Sequence, residues 1–200
     1  MESRHRARVA RPREVRGWLV YGVAVAVAYL MLAFRLYYGT GMGTSPFLLF
    51  SWIDLPFLIG ILAGALAALG LHQALWYFLV KPGGGTLYAA TFLMFIVASL
   101  FFYALPNHVG TTFFLLMFLA SVVLFLYAPA LSYGSRVWLG IGVAGAAGLL
   151  AASVYGPLQG SAPLTDPVVI STVVAEGLLV LALVRLLQQA VHRPRAAAPA

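Results

Sequence analysis

The chain has 200 residues, of which 62% are hydrophobic and 8% are charged, and its formal net charge is +7. Soluble domains carry about 25% charged residues, so this composition excludes an ordinary water-soluble globule and makes the lipid bilayer the expected solvent. The absence of cysteine excludes disulfides, thiolate metal sites and cysteine nucleophiles. The arginine excess does not indicate a nucleic-acid partner, because half of it directly precedes an apolar run, where it favours the anionic cytoplasmic leaflet.

Long apolar stretches follow one another along the chain, separated by short segments rich in glycine, proline and serine. A stretch of about 20 apolar residues crosses a hydrocarbon core of about 30 Å. Proline and glycine segments cannot continue a lipid-exposed helix without leaving backbone groups unpaired. The predicted spans are residues 18–37, 55–80, 86–105, 111–131, 137–155 and 168–191. The predicted fold class is therefore all-α, a polytopic bundle of six transmembrane helices.

The basic residues divide unequally between the two faces of this bundle. Of the 12 lysines and arginines, all except Arg35 fall on one side. Cytoplasmic segments keep an excess of such residues, so we predict an N-in/C-in protein of the cell (cytoplasmic) membrane. Residues 1–17 are then a basic cytoplasmic tail, 18–191 the transmembrane domain and 192–200 a disordered cytoplasmic tail. Heavy use of alanine, glycine, arginine and valine, beside a single lysine, is typical of a prokaryotic source and hence an inner membrane.

Small residues recur every fourth position on three of the predicted spans, and on the first span they are Ala24 and Ala28. Such spacing lets helix backbones approach closely, which replaces the hydrophobic drive that lipid removes. The stripes contact either another helix of the same bundle or another chain, which would be a partner membrane subunit or a second copy. The predicted helix-packing residues are Gly60 and Gly64 on the second span, and Gly140, Ala144, Gly148 and Ala152 on the fifth.

Glu176 is the most informative single residue. It lies about 12 Å below the outer end of the sixth span at 1.5 Å per residue. An ionisable group at that depth is a functional-site hypothesis by default. The alternative is a protonated or ion-paired glutamate that only holds two helices together. Arg35 at the outer end of the first span is the preferred partner, unless it extends to the outer headgroups, and His108 is the second.

Other polar residues fall near the same outer leaflet. Asp54 and Asp166 precede proline-containing first turns, so each is either an N-cap or a site residue. A metal site at this face could combine His108, the candidate ligand, with Asp54, Asp166 or Glu176, but we expect no cofactor. The substrate-binding residues predicted at the outer leaflet are Arg35, Trp52, Asp54, Asn107, His108, Asp166 and Glu176.

Two family resemblances bear on function. The size, the six spans, the inside termini and the Ala24-to-Ala28 spacing resemble the substrate-binding components of energy-coupling-factor vitamin transporters. That resemblance implies solute binding and a partner membrane subunit. The run Leu105-Pro106-Asn107-His108 before an apolar helix resembles a short piece of the C subunit of copper membrane monooxygenases. That family's companion asparagine and histidine are here Ala90 and Met94.

The favoured function is a small-solute binding or transport component, with Glu176 and Arg35 as charged contacts for a small-molecule ligand. The first alternative is a non-catalytic membrane subunit of a larger respiratory, monooxygenase or transporter assembly, docked through the small-residue stripes. The second is an intramembrane enzyme or cofactor subunit centred on His108. No residue is predicted to be catalytic in the favoured function.

Overall fold

A computed structural model describes residues 12–39, 55–74, 84–105, 110, 112–132, 135–158, 163 and 165–191. These residues form six helices and no strand, which confirms the all-α class. Each helix overlaps one predicted span. The helices are α1 (Pro12–Gly39), α2 (Leu55–Ala74), α3 (Gly84–Ala104), α4 (Thr112–Ser132), α5 (Arg136–Leu158) and α6 (Pro167–Val191).

Within the described residues, four helices are long and apolar enough to cross a membrane. Their apolar stretches are Glu14–Phe34, Gly85–Ala104, Arg136–Leu158 and Pro167–Val191. The other two helices contribute the shorter apolar stretches Leu58–Ala74 and Phe114–Ala128. The structure therefore supports four spans by length and composition.

Helix α3 is the centre of the fold. It packs against α1, α2, α4 and α6, and 67% of its apolar stretch is buried, compared with 17% for α5. Phe102 joins three helices, because its ring meets Tyr29 of α1 and Phe118 of α4 edge-on, at centroid distances of 5.7 and 5.9 Å. Such edge-to-face pairs add a specific geometry to apolar packing.

Helices α1 and α2 form a close antiparallel pair. A Cβ added at Gly17 would lie 2.7 Å from the Cα of Ala74, and one added at Gly70 would lie 2.6 Å from the backbone nitrogen of Tyr21. Only glycine allows this backbone contact, since real Cβ atoms do not approach other atoms so closely. Gly17 therefore belongs to the helical bundle.

The helix begins before residue 17, where the predicted boundary between tail and transmembrane domain lies, and that boundary itself stays a prediction. Helix α1 begins at Pro12, and Glu14 lies in its first turn. Proline suits the first helical position because its missing N–H is unpaired there in any case, and an acidic residue interacts favourably with the helix dipole. The basic segment before residue 12 lies outside the described residues.

The small-residue stripe of α2 lies at helix contacts. A Cβ added at Gly64 would lie 2.6 Å from the Cβ of Phe95 on α3, and one added at Gly60 would lie 3.3 Å from Cδ2 of Leu32 on α1. Ala24 and Ala28 of α1 are also buried. Since these two alanines are covered by the chain's own helices, they offer no surface to a partner subunit.

The stripe of α5 lies on the outside of the described bundle, so contact with another helix of the same bundle is not found for it among the described residues, and contact with another chain stays a prediction. Among the described residues, no heavy atom beyond the adjacent turns of α5 lies within 4 Å of a Cβ added at Gly140 or Gly148, and Ala144 and Ala152 are exposed. The buried face of α5 instead includes Gly142, about 200° from Gly140 at about 100° per residue. Helix α5 therefore has two faces of small residues, and the face that contains Gly142 packs against the rest of the described bundle.

Candidate functional site

Glu176 lies on the inward face of α6. It is fully buried, on the same stripe as Thr172, Ala175 and Leu179, while Leu178 and Leu181 are exposed. Helix α6 packs mainly against α5 and α3, so the carboxyl group is enclosed between these helices. Glu176 is nine residues from Pro167, about 13 Å along the helix axis. The expected inward orientation of this acid is therefore found.

The hydrogen-bond partner of Glu176 is Ser153 of α5. The Ser153 hydroxyl donates to Oε1 of Glu176 at 3.0 Å. Oε2 of the same carboxyl is buried and has no hydrogen-bond partner among the described residues. An unsatisfied buried acceptor costs about 1–3 kcal/mol, and more when it is charged. Only one of the two carboxyl oxygens therefore has a described hydrogen-bond partner. A ligand atom that interacts with the other oxygen would bind favourably there.

Pro157 changes the backbone of α5 close to this contact. Proline has no N–H, so Pro157 cannot donate to the carbonyl of Ser153, four residues earlier in the same helix. Helices bend most readily where this ladder is interrupted. The residue that holds Glu176 therefore lies in the part of α5 with the weakest helical constraint.

Asp166 has the structural role that its position before proline allows. Its Oδ1 accepts a 2.7 Å hydrogen bond from the backbone N–H of Val168, and its carbonyl accepts from Ile170 at 3.0 Å. This is an N-cap of α6, which satisfies backbone donors that the first turn leaves free. Asp166 lies ten residues before Glu176, about 15 Å along the helix, so the two carboxyls are not brought together.

The remaining predicted site residues lie outside what the structure describes. Arg35 is within α1, but its side chain lies outside the described side chains. Pairing of Arg35 or His108 with Glu176 stays a prediction. Within the described residues, no group of three or more histidines, aspartates and glutamates is placed to hold a metal ion. The site residues outside the described residues are Trp52, Asp54, Asn107 and His108.

Sequence reasoning missed Ser153. The signal was a hydroxyl residue in an apolar span, four positions before a proline. Two buried hydroxyls on α3, those of Thr91 and Ser99, have no hydrogen-bond partner within the described part of the chain, like Oε2 of Glu176. Hydroxyl groups inside a bundle are therefore as informative here as the charged residues.

Comparison with known proteins does not assign the chain to a family. No protein-family model, curated protein or solved structure matches it. The geometry around Glu176 is therefore the main guide to function.

Proposed function

We propose that this chain is a multi-pass integral membrane protein with six spans and both termini on the cytoplasmic side. Four described helices have the required length and apolar character. Arg136 at the start of α5 donates to the carbonyls of Ala190 and Val191 at the end of α6, at 3.4 and 3.2 Å. A cation near a helix C-terminus is favourable. Because of this contact, Arg136 and Arg185 lie near the same end of the α5–α6 pair, which supports a common side for these two cations under the charge rule.

We further propose that the protein binds or transports a small solute, and that Glu176 and Ser153 form part of its polar site. The observation that carries this proposal is the buried Oε2 atom of Glu176 without a hydrogen-bond partner in the described region. A carboxyl that only held α5 and α6 together would be expected to use both oxygens. An intramembrane acid with spare binding capacity is typical of a substrate or ion pathway.

Native mass spectrometry of the gently solubilised protein tests this function, because it reports bound solute and partner chains together. We expect a small-molecule adduct that Glu176→Gln removes without unfolding the chain. Leu178→Ala is the matched control, since Leu178 is exposed on the same helix and should keep the adduct. An adduct that persists in Glu176→Gln, or a wild-type protein that carries only lipid, would contradict the proposal.

A non-catalytic membrane subunit is the second candidate function. The observation that favours it is the exposed small-residue stripe of α5, formed by Gly140, Ala144, Gly148 and Ala152. In a bilayer such a face suits close contact with another helix better than contact with lipid. A partner membrane chain, or a second copy, that remains bound in the same mass spectra would support this candidate.

A further inference from the structure

We propose that Glu176 binds and releases a proton, and that this proton is the ion coupled to solute movement. The coupling rests on the proposed transport function, whereas proton binding itself does not. The carboxyl is fully buried, Oε1 is held by Ser153 at 3.0 Å, and Oε2 faces no described hydrogen-bond partner. A lone pair of the buried Oε2 atom is all that a proton needs, because a proton forms a single bond to the carboxyl group.

A metal cation fits the same position poorly. Hard cations such as Mg²⁺ and Ca²⁺ take about six to eight oxygen ligands. At this position the described residues supply the carboxyl group and one serine hydroxyl, and no further carboxylate or histidine gathers there. A bare carboxylate without a counter-charge is costly at this depth, so uptake of a proton is the simplest neutralisation.

The charged and titratable groups on the neighbouring helices do not replace the proton. On α5, Arg136 reaches the far end of α6 and Tyr155 is exposed. On α6 itself, Arg185 is exposed. Helix α3 contributes two tyrosines, Tyr88 and Tyr103. Among the described residues, the hydrogen bond of Glu176 goes to Ser153 and to none of these groups.

Ser153 connects the carboxyl group of Glu176 both to the surface of α5 and to the backbone of that helix. It is half-buried, and Val154 and Tyr155 beside it are exposed, so the site lies one side chain from the surface of α5. A serine hydroxyl both donates and accepts, so it suits either state of the carboxyl group. Pro157 leaves the carbonyl of Ser153 without its usual helical donor. The end of α5 can therefore move when the hydrogen bond between the Ser153 hydroxyl and Glu176 changes.

Infrared difference spectroscopy of the full-length protein in liposomes tests the proposal, with protons as the probe. The chain has only 5 aspartates and glutamates, so the carboxyl region is simple. We expect a protonated-carboxyl band that disappears as pH rises and is missing at every pH in Glu176→Gln. Asp166→Asn, which removes a different carboxyl, should keep it. Ser153→Ala should shift the band to higher frequency, because the carbonyl loses a hydrogen bond.

Three results would overturn the proton site. These are identical spectra for the wild type and Glu176→Gln, a Glu176 band that never titrates, and a band that sodium removes at constant pH. The last would identify a metal cation instead. Failure of the proposed transport function gives a different result. If the Glu176 band titrates but the protein carries no solute adduct, proton binding is supported and only its coupling to solute movement is contradicted.

Discussion

Ser153 and Glu176 join the most exposed membrane-length helix of the described fold to its neighbour through one 3.0 Å hydrogen bond. Apart from the hydrogen bonds of Arg136 at the end of α6, helix α5 meets α6 through apolar side chains around Gly142, whose added Cβ would lie 3.8 Å from Cδ1 of Leu183. A polar contact inside an apolar interface fixes the rotation of one helix against the other, because every other rotation leaves the serine and the carboxyl unpaired. The contact therefore sets both the local fold and the chemistry of the site.

Ser153→Ala should lower stability by about 1–3 kcal/mol, because Oε1 of Glu176 would lose its donor while remaining buried. Thermal unfolding of the detergent-solubilised protein at one pH measures the effect. Ser153→Thr is the matched control, since it keeps a hydroxyl at the same position. If the alanine variant unfolds at the same temperature as the wild type, the hydrogen bond contributes nothing to stability.

Gly17→Ala should destabilise the α1–α2 pair by about 1–3 kcal/mol, because its new methyl group would clash with the backbone of Ala74. Backbone atoms, unlike a flexible side chain, cannot move aside by changing rotamer. Gly22→Ala is the control on the same helix, where nothing lies within 4 Å of the added Cβ and alanine is the better helix former. Equal unfolding temperatures for the two variants would mean that the backbones are not in contact.

The sequence predicted the helices well and their contacts poorly, for a physical reason. Apolar length and turn chemistry are local properties, so the six helices and the place of Glu176 along the last of them could be predicted from the chain. Which face of a helix meets a neighbour depends on rotation and crossing angle. On α5 both the Gly140 face and the Gly142 face are small enough for close packing, and nothing local chooses between them.

The partner of Glu176 was missed for the same reason. A buried acid is most readily matched with a cation, so Arg35 and His108 are its predicted partners, whereas the described hydrogen bond comes from a neutral serine on a packed neighbour. Partnership is decided by which helices pack together, and α6 packs mainly against α5 and α3. Local sequence does not encode that adjacency. The helical start at Pro12 was readable, however, since proline and an acidic residue in the first turn are a known signal.

Gly148→Leu should leave the isolated chain as stable as the wild type, because no atom of the bundle lies near an added side chain there. If the α5 stripe docks on another helix, the same change should release a partner chain or a second copy in native mass spectra. Gly142→Leu is the contrasting variant. Its side chain would press on Tyr127, 3.2 Å from the added Cβ, and should lower the unfolding temperature.

Topology can be tested with a reporter that is active only outside the cytoplasm. Fused after residue 200, it should give no signal, because the positive-inside rule places the basic end of the chain in the cytoplasm. Fused after residue 110, between α3 and α4, it should be active. Activity at the C-terminus would require an odd number of spans and would move Glu176 to the other half of the membrane.

Replacing Glu176 by leucine separates a binding role from a purely structural one. If the acid is kept for binding a solute or a proton, Glu176→Leu should unfold at the same or a higher temperature than the wild type. The reason is that it removes a buried oxygen without a described partner, while the half-buried hydroxyl of Ser153 can bond to a carbonyl of its own helix instead. The variant should nevertheless lose the solute adduct and the titrating carboxyl band. If the acid only holds α5 to α6, the variant should instead be clearly destabilised, and Glu176→Gln, which keeps an acceptor for Ser153, should recover much of the loss.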